Sequence, residues 1–318
     1  MDTNIGAGAR MLATFIRNAA ACVCALCIAS AAVAAAPQRS FASPEDAARA
    51  LVQALKAHDR QAVAAVLGPG SEQWISSGDA VADRSAADRF VAAFEQKHAV
   101  AAASDARASL SVGVDDWPFA FPLVKAGSGW RFDTEAGKGE LLARRIGQNE
   151  LAVINVMRAI VDAQREYASE YRSPKGDAQY ARKFASAPGR KDGLYWPAKA
   201  GERESPLGPL VTRATAEGYG LKKTTGPRPY HGYYFRMLQG QGPHARGGAL
   251  DYVVKGRMIG GFAALAYPAQ YGNSGVMTFI VNHDGTVFQK DLGADTAKQA
   301  RAMSRFDPAA GWTPIPEQ

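Results

Sequence analysis

One stretch, Gln148 to Tyr171, limits the possible folds more than any other. Leu151, Ile154, Met157, Ile160, Val161, Gln164, Tyr167 and Tyr171 recur at helical spacing and share one stripe, while Arg158, Asp162, Arg165, Glu166 and Glu170 lie on the other side. A helix with one largely apolar stripe has to lay it on another element. Pro174 and Gly176 end the helix, and an irregular region rich in both residue types continues to about Arg228, interrupted by a short helix over Pro209–Glu217. The period then changes to that of strands, over Gly232–Leu238, Asp251–Val254, Gly261–Tyr267, Val276–Asn282 and Thr286–Lys290, with Asp284-Gly285 as a hairpin signal. The stripe therefore has an antiparallel sheet to cover.

The residues before that helix form a second pattern. Ser43-Pro44-Glu45-Asp46 combines a capping hydroxyl, proline in the first turn and two acids that suit the helix dipole. Apolar residues at helical spacing follow through Leu55 and again from Ala62 to Leu67, stopping at Gly68-Pro69-Gly70, and a further helix is expected over Ser85–Lys97. Alternation over Ala108–Val114, a turn at Asp115-Asp116-Trp117-Pro118, a strand over Phe119–Lys125, a hairpin at Gly127-Ser128-Gly129 and a return through Trp130–Asp133 read as a meander. The fold class is α+β, with one unit over residues 37–145 and another over 146–318.

All three cysteines, Cys22, Cys24 and Cys27, fall within the first 36 residues. Arg10 and Arg17, the uncharged run from Ala19 to Ala36 and the small residues at Ala32-Val33-Ala34 or Ala34-Ala35-Ala36 read as a cleavable export signal. The expectation is a periplasmic or secreted chain with no thiol, no disulfide and no stable membrane span after cleavage. Losing Asp2, Arg10 and Arg17 takes the net charge from +7 to +6. The basic pairs Arg144-Arg145, Arg182-Lys183, Arg190-Lys191 and Lys222-Lys223 are scattered and read as solvated surface, so no nucleic-acid partner is expected.

Motifs that would carry chemistry are missing. The five histidines, His58, His98, His231, His244 and His283, are too dispersed for a paired-histidine zinc helix. Gly272-Asn273-Ser274-Gly275 lacks the spacing of a nucleophile elbow, and no glycine-rich loop opens a helix with a phosphate-binding lysine. The reading assigns no catalytic residue, no metal and no cofactor. What stands out is aromatic: Tyr195, Trp196, Tyr230, His231, Tyr233, Tyr234, Tyr267 and Tyr271 fall in loops and strand starts near glycine and proline. Such side chains stack on sugar rings or anchor protein partners. Tyr195, Trp196, Tyr230, His231, Tyr233, Tyr234 and Tyr271, with Arg228 and Arg236 for charge, are the candidate binding face of a non-catalytic scaffold or adaptor that meets an envelope protein or a wall polymer. The alternative is a periplasmic hydrolase of cell-wall material using Asp115, Asp116 and Asp133.

Several segments resemble an exported bacterial family, the domain-of-unknown-function 2950 family. They are Phe41-Ala42-Ser43-Pro44-Glu45, Asp115-Asp116-Trp117-Pro118-Phe119, Gly129-Trp130-Arg131-Phe132-Asp133-Thr134, Arg145-Ile146-Gly147-Gln148-Asn149-Glu150, Lys191-Asp192-Gly193-Leu194-Tyr195-Trp196-Pro197 and Pro229-Tyr230-His231-Gly232-Tyr233-Tyr234. That resemblance implies no reaction. Helices followed by a meander resemble the cystatin-like or nuclear-transport-factor-like (NTF2-like) cone. Asn149-Glu150-Leu151-Ala152 running into Ile160–Ala168, and Tyr271–Val287, are similar to the globular part of type IV pilin-like proteins and pseudopilins over about 148–293.

Overall fold

Side-chain caps start the first, second and fourth helices. The computed structural model describes residues 37–172, 176–199, 201–220 and 227–316; the segment read as an export signal lies outside them. The Ser43 hydroxyl accepts the Asp46 N–H at 3.1 Å and opens α1 (Pro44–Lys56), and the Asp59 carboxylate accepts from Ala62 N–H at 2.9 Å to open α2 (Arg60–Leu67). A single turn, α3 (Glu72–Ile75), leads to α4 (Ala80–Gln96). This last helix starts before the expected Ser85 because Asp79 accepts the Val81 and Ala82 N–H groups, each at 3.2 Å.

Five antiparallel strands follow: β1 (His98–Ser104), β2 (Arg107–Val112), β3 (Trp117–Pro118), β4 (Leu123–Ala126) and β5 (Gly129–Phe132). Their order is β1-β2-β4-β5, with β3 also paired to β2. The alanine-rich β1 has little intrinsic strand preference, and the sequence pattern does not announce it. The strand expected from Phe119 starts only at Leu123, because Phe119 and Phe121 are drawn into an aromatic cluster with Phe90 and Phe132.

The long helix, α5 (Thr134–Glu170), has 37 residues and begins well before Gln148. Gly137, Gly139 and Gly147 hide its first turns from a periodicity reading, but Asp133 caps it by accepting the Ala136 N–H at 3.2 Å. Gly137 is required by close approach, since a Cβ there would lie 2.3 Å from the Ala120 carbonyl oxygen. At 1.5 Å per residue the helix is about 55 Å long, and the expected boundary between 145 and 146 falls inside it.

After α5 come α6 (Gly208–Ala216), β6 (Tyr233–Leu238), β7 (Gly240–Gln241), β8 (Leu250–Asp251), β9 (Val253–Val254), β10 (Arg257–Met258), β11 (Ala263–Pro268), β12 (Met277–Asn282), β13 (Val287–Asp291), α7 (Thr296–Ala302), β14 (Arg305–Phe306) and β15 (Thr313–Pro314). The main sheet runs β15-β13-β12-β11-β6, with a smaller sheet β14-β7-β8 and the pair β10-β9. Asp284-Gly285 makes the β12–β13 hairpin as its composition predicts, Gly285 taking φ +93°. The chain is thus α+β. One buried cluster gathers Leu51, Val66, Phe94, Leu110, Leu123 and Phe132, and a second gathers Val153, Met157, Ile160, Tyr233, Phe262, Leu265 and Phe279. No helix among the described residues is long and apolar enough to cross a membrane.

Candidate functional site

Between the two clusters lies a polar seam, built from segments far apart in sequence. Asp79 is 2% exposed. Besides capping α4, its carboxylate accepts the Tyr219 hydroxyl at 2.8 Å and the Gly232 N–H at 2.9 Å. On α5, Arg145 donates to the Asn273 side-chain oxygen and to the Trp74 carbonyl, Asn149 donates to the Ser274 carbonyl at 2.8 Å, and one Glu150 oxygen accepts the Val276 and Met277 N–H groups, each at 2.9 Å. Asn273 reaches back to the Gln73 and Ser76 carbonyls at 3.0 and 2.9 Å. A loop of the C-terminal sheet is thereby tied to both α5 and the α3–α4 connection. Burial pushes the Asp83 carboxyl up, offset in part by hydrogen bonds from Ser77 and the charge of Arg145, and burial pulls the Arg145 guanidinium down.

The Asp79 and Tyr219 bonds hold the Pro229–Tyr234 loop from behind. His231 sits at φ +50°, an uncommon conformation for a side-chain-bearing residue, and its N–H donates to the Tyr219 oxygen at 3.3 Å. The next residue must be glycine: Gly232 has φ +74°, and a Cβ would lie 2.7 Å from the Asn149 amide nitrogen and 2.9 Å from the Ser274 Cβ. The Tyr230 ring lies 4.8 Å from Tyr219 and 4.0 Å from His231, whose Nε2 is 3.7 Å from a Glu217 oxygen. Burial lowers the His231 imidazole, against the pull of Glu217 and Asp79, so the ring is biased towards its neutral form. Burial and the Glu217 charge push the Tyr230 hydroxyl up to about 12. Beside this nook an open cleft of about 700 Å³ runs between α4 and the end of α6, lined by Val81, Arg84, Ser85, Asp88, Arg89 and Glu217 among others.

Of the residues singled out from the sequence, Tyr230, His231 and Tyr233 come together here. Tyr233 is fully buried against Gly275, and its hydroxyl donates to the Met277 carbonyl at 3.0 Å. Burial and the neighbouring Glu150 raise its pKa. Arg228 is exposed just before the loop. Tyr234 packs on Tyr267 at 5.6 Å, and Tyr271, 38% exposed, donates to Asp291 at 3.1 Å. Tyr195 and Trp196 lie elsewhere: Trp196 is buried, edge-on to Tyr171 at 6.3 Å with the Lys191 ammonium over its ring, and Tyr195 is bridged to Ala185. Arg236 caps α7, donating to the Ala300 and Arg301 carbonyls at 2.8 Å each. The acids of the hydrolase reading are dispersed in role, with Asp116 paired to Lys97 at 2.7 Å, Asp133 capping α5 and Asp115 exposed. Among the described residues no three His, Cys, Asp or Glu side chains are grouped to hold a metal ion.

Sequence reasoning missed Asp79, Arg145, Asn149, Glu150, Tyr219 and Asn273. For Arg145, Asn149 and Glu150 the signal was indirect, since Arg145–Glu150 and Pro229–Tyr234 are family-resembling segments whose purpose appears only when they meet; Asp79, Tyr219 and Asn273 carried no signal of their own.

Fold and seam together define an α+β protein in which two buried clusters are pinned to one long helix by buried charge and amide groups. The chain belongs to the family described as Protein of unknown function (DUF2950), whose model matches residues 38–315. No curated protein and no solved structure matches it, so the cystatin-like and pilin-like likenesses rest on sequence pattern alone.

Proposed function

We propose that this chain is an exported binding protein of the cell envelope, a scaffold or adaptor rather than an enzyme, which meets another envelope protein or a wall polymer. The observation that carries this reading is the support behind the Tyr230–His231 loop. Asp79 and Tyr219 hold it from the buried side, and the His231 imidazole lies against Glu217, which lines the open cleft, so the loop has little ordering left to lose on binding. Arg84 and Arg89 line that cleft together with Asp88 and Glu217, so its rim offers charge of both signs. The reading also draws on the signal-like first 36 residues for export, and on the order of long helix, irregular loop and meander for a pilin-like head reused as an adaptor.

The test is crosslinking of the tagged protein in its native host, followed by mass spectrometry of what is recovered. Wild type is expected to carry an envelope protein or wall fragments, and the Tyr230→Ala/His231→Ala variant to lose most of them while keeping its melting temperature within a few degrees. Recovery of nothing beyond an exported control sinks the reading.

A further inference from the structure

β1 ends its sheet, and apart from a bulge near its end it lacks the usual protections of an edge. From Ala99 to Ser104 it carries no charge and no proline, and Ala99, Ala101, Ala102 and Ala103 are all exposed. Long neutral edges of this kind are templates for another strand. The C-terminal sheet closes one of its own edges with β15, only two residues long and containing Pro314.

The backbone fixes which groups are on offer. The Gly113 N–H donates to the Lys97 carbonyl at 2.8 Å, so along β1 the odd-numbered residues exchange hydrogen bonds with β2. The even-numbered His98, Val100 and Ala102 therefore turn N–H and C=O to the free side. A bulge between Ala102 and Ser104 ends the regular stretch. An incoming antiparallel strand uses all of those groups and avoids the bulge when its centre lies at Val100.

We propose that β1 pairs with β1 of a second copy of this chain about a two-fold axis through Val100, joining the two sheets into one. In that register Val100 faces Val100 of the partner subunit, Ala99 faces Ala101 of the partner subunit, and His98 faces Ala102 of the partner subunit. No like charges are opposed. A register nearer α4 brings the two copies of Lys97 together, and one nearer the hairpin places the bulge in the ladder. The sheet face beneath carries an open groove of about 550 Å³, lined by Val100, Ala102, Ala108 and Trp130, which continues into its two-fold mate. This self-pairing is independent of the binding role proposed for the Tyr230–His231 loop.

The test is the solution mass of the full chain by light scattering, with three proteins compared. Wild type is expected at twice the mass of a single chain, which is 33.7 kDa when all 318 residues are retained. A99K/A101K puts lysines opposite lysines on a solvent-facing surface and is expected at the monomer mass with an unchanged melting temperature. A99K/A101E puts each lysine opposite a glutamate and is expected to restore the dimer. A monomeric wild type at every concentration overturns the proposal. So does a dimer that survives A99K/A101K, or an A99K/A101E variant no more dimeric than A99K/A101K.

Discussion

β12 and β2 hold comparable places, each inside an antiparallel sheet, yet they are buried differently. Every residue of β12 except Met277 is buried, whereas β2 alternates, with Ala108, Leu110 and Val112 inside and Arg107 and Ser109 outside. The cause is what lies on each sheet. α5 packs on β11, β12 and β13, while α7 packs on β11 and β14 on both β11 and β12; β2 packs on α4. Two-sided cover demands continuous apolar runs, and one-sided cover leaves the alternating code that a solvated face allows. The comparison extends to the edges, where β15 is short and contains proline and β1 is long and open.

Alanine substitution along the two strands gives the largest expected contrast. Phe279→Ala is expected to cost about 3–5 kcal/mol, and its neighbour Ile280→Ala about 2–5 kcal/mol, because both lie inside. In β2 only one parity is costly: Leu110→Ala about 2–5 kcal/mol, Ser109→Ala within about 0.5 kcal/mol. Denaturant titration of the four variants checks this, and a costly Ser109→Ala breaks the one-sided description of the first sheet.

Much of the difference between the sheets was readable in advance. The apolar run at Val276–Asn282, the alternation over Ala108–Val114 and the Asp284-Gly285 hairpin all follow from period and turn chemistry. Other features were hidden for physical reasons. β1 forms because β2 and α4 provide a template, against the preference of its alanines. The early turns of α5 exist because Asp133 caps them and the Ala120 backbone leaves room only for glycine at Gly137. Tyr230 and His231 were legible as an aromatic loop, but Asp79 was not legible as its anchor, because Asp79 and Gly232 are brought together only by the packing of the two halves.

A smaller effect is expected where the halves meet. Asp79→Ala leaves the Gly232 N–H and the Tyr219 hydroxyl without their acceptor and removes the α4 cap, for a loss of about 1–3 kcal/mol by thermal or denaturant unfolding. A loss no larger than that of a surface change means the seam is wetter than its burial indicates.

The smallest effect is a matter of pH. Burial holds the folded His231 below the ordinary histidine value, so the native state binds fewer protons than the unfolded chain. Stability is therefore lost as pH falls through the histidine range and regained as it rises. His231→Gln is expected to flatten that part of the stability–pH curve, and an unchanged slope shows that the ring is more open to water than its neighbours suggest.

Arg145, Asn149 and Glu150 lie within little more than one turn of α5, and all three grip the same loop. Advancing the helix by a single residue shifts it about 1.5 Å along its axis and about 100° around it, which would release every one of these bonds at once. They act as the teeth of a rack, fixing the rod against both sliding and rolling. A pull applied to one sheet therefore reaches the other as tension along α5, with no slack for either to take up alone.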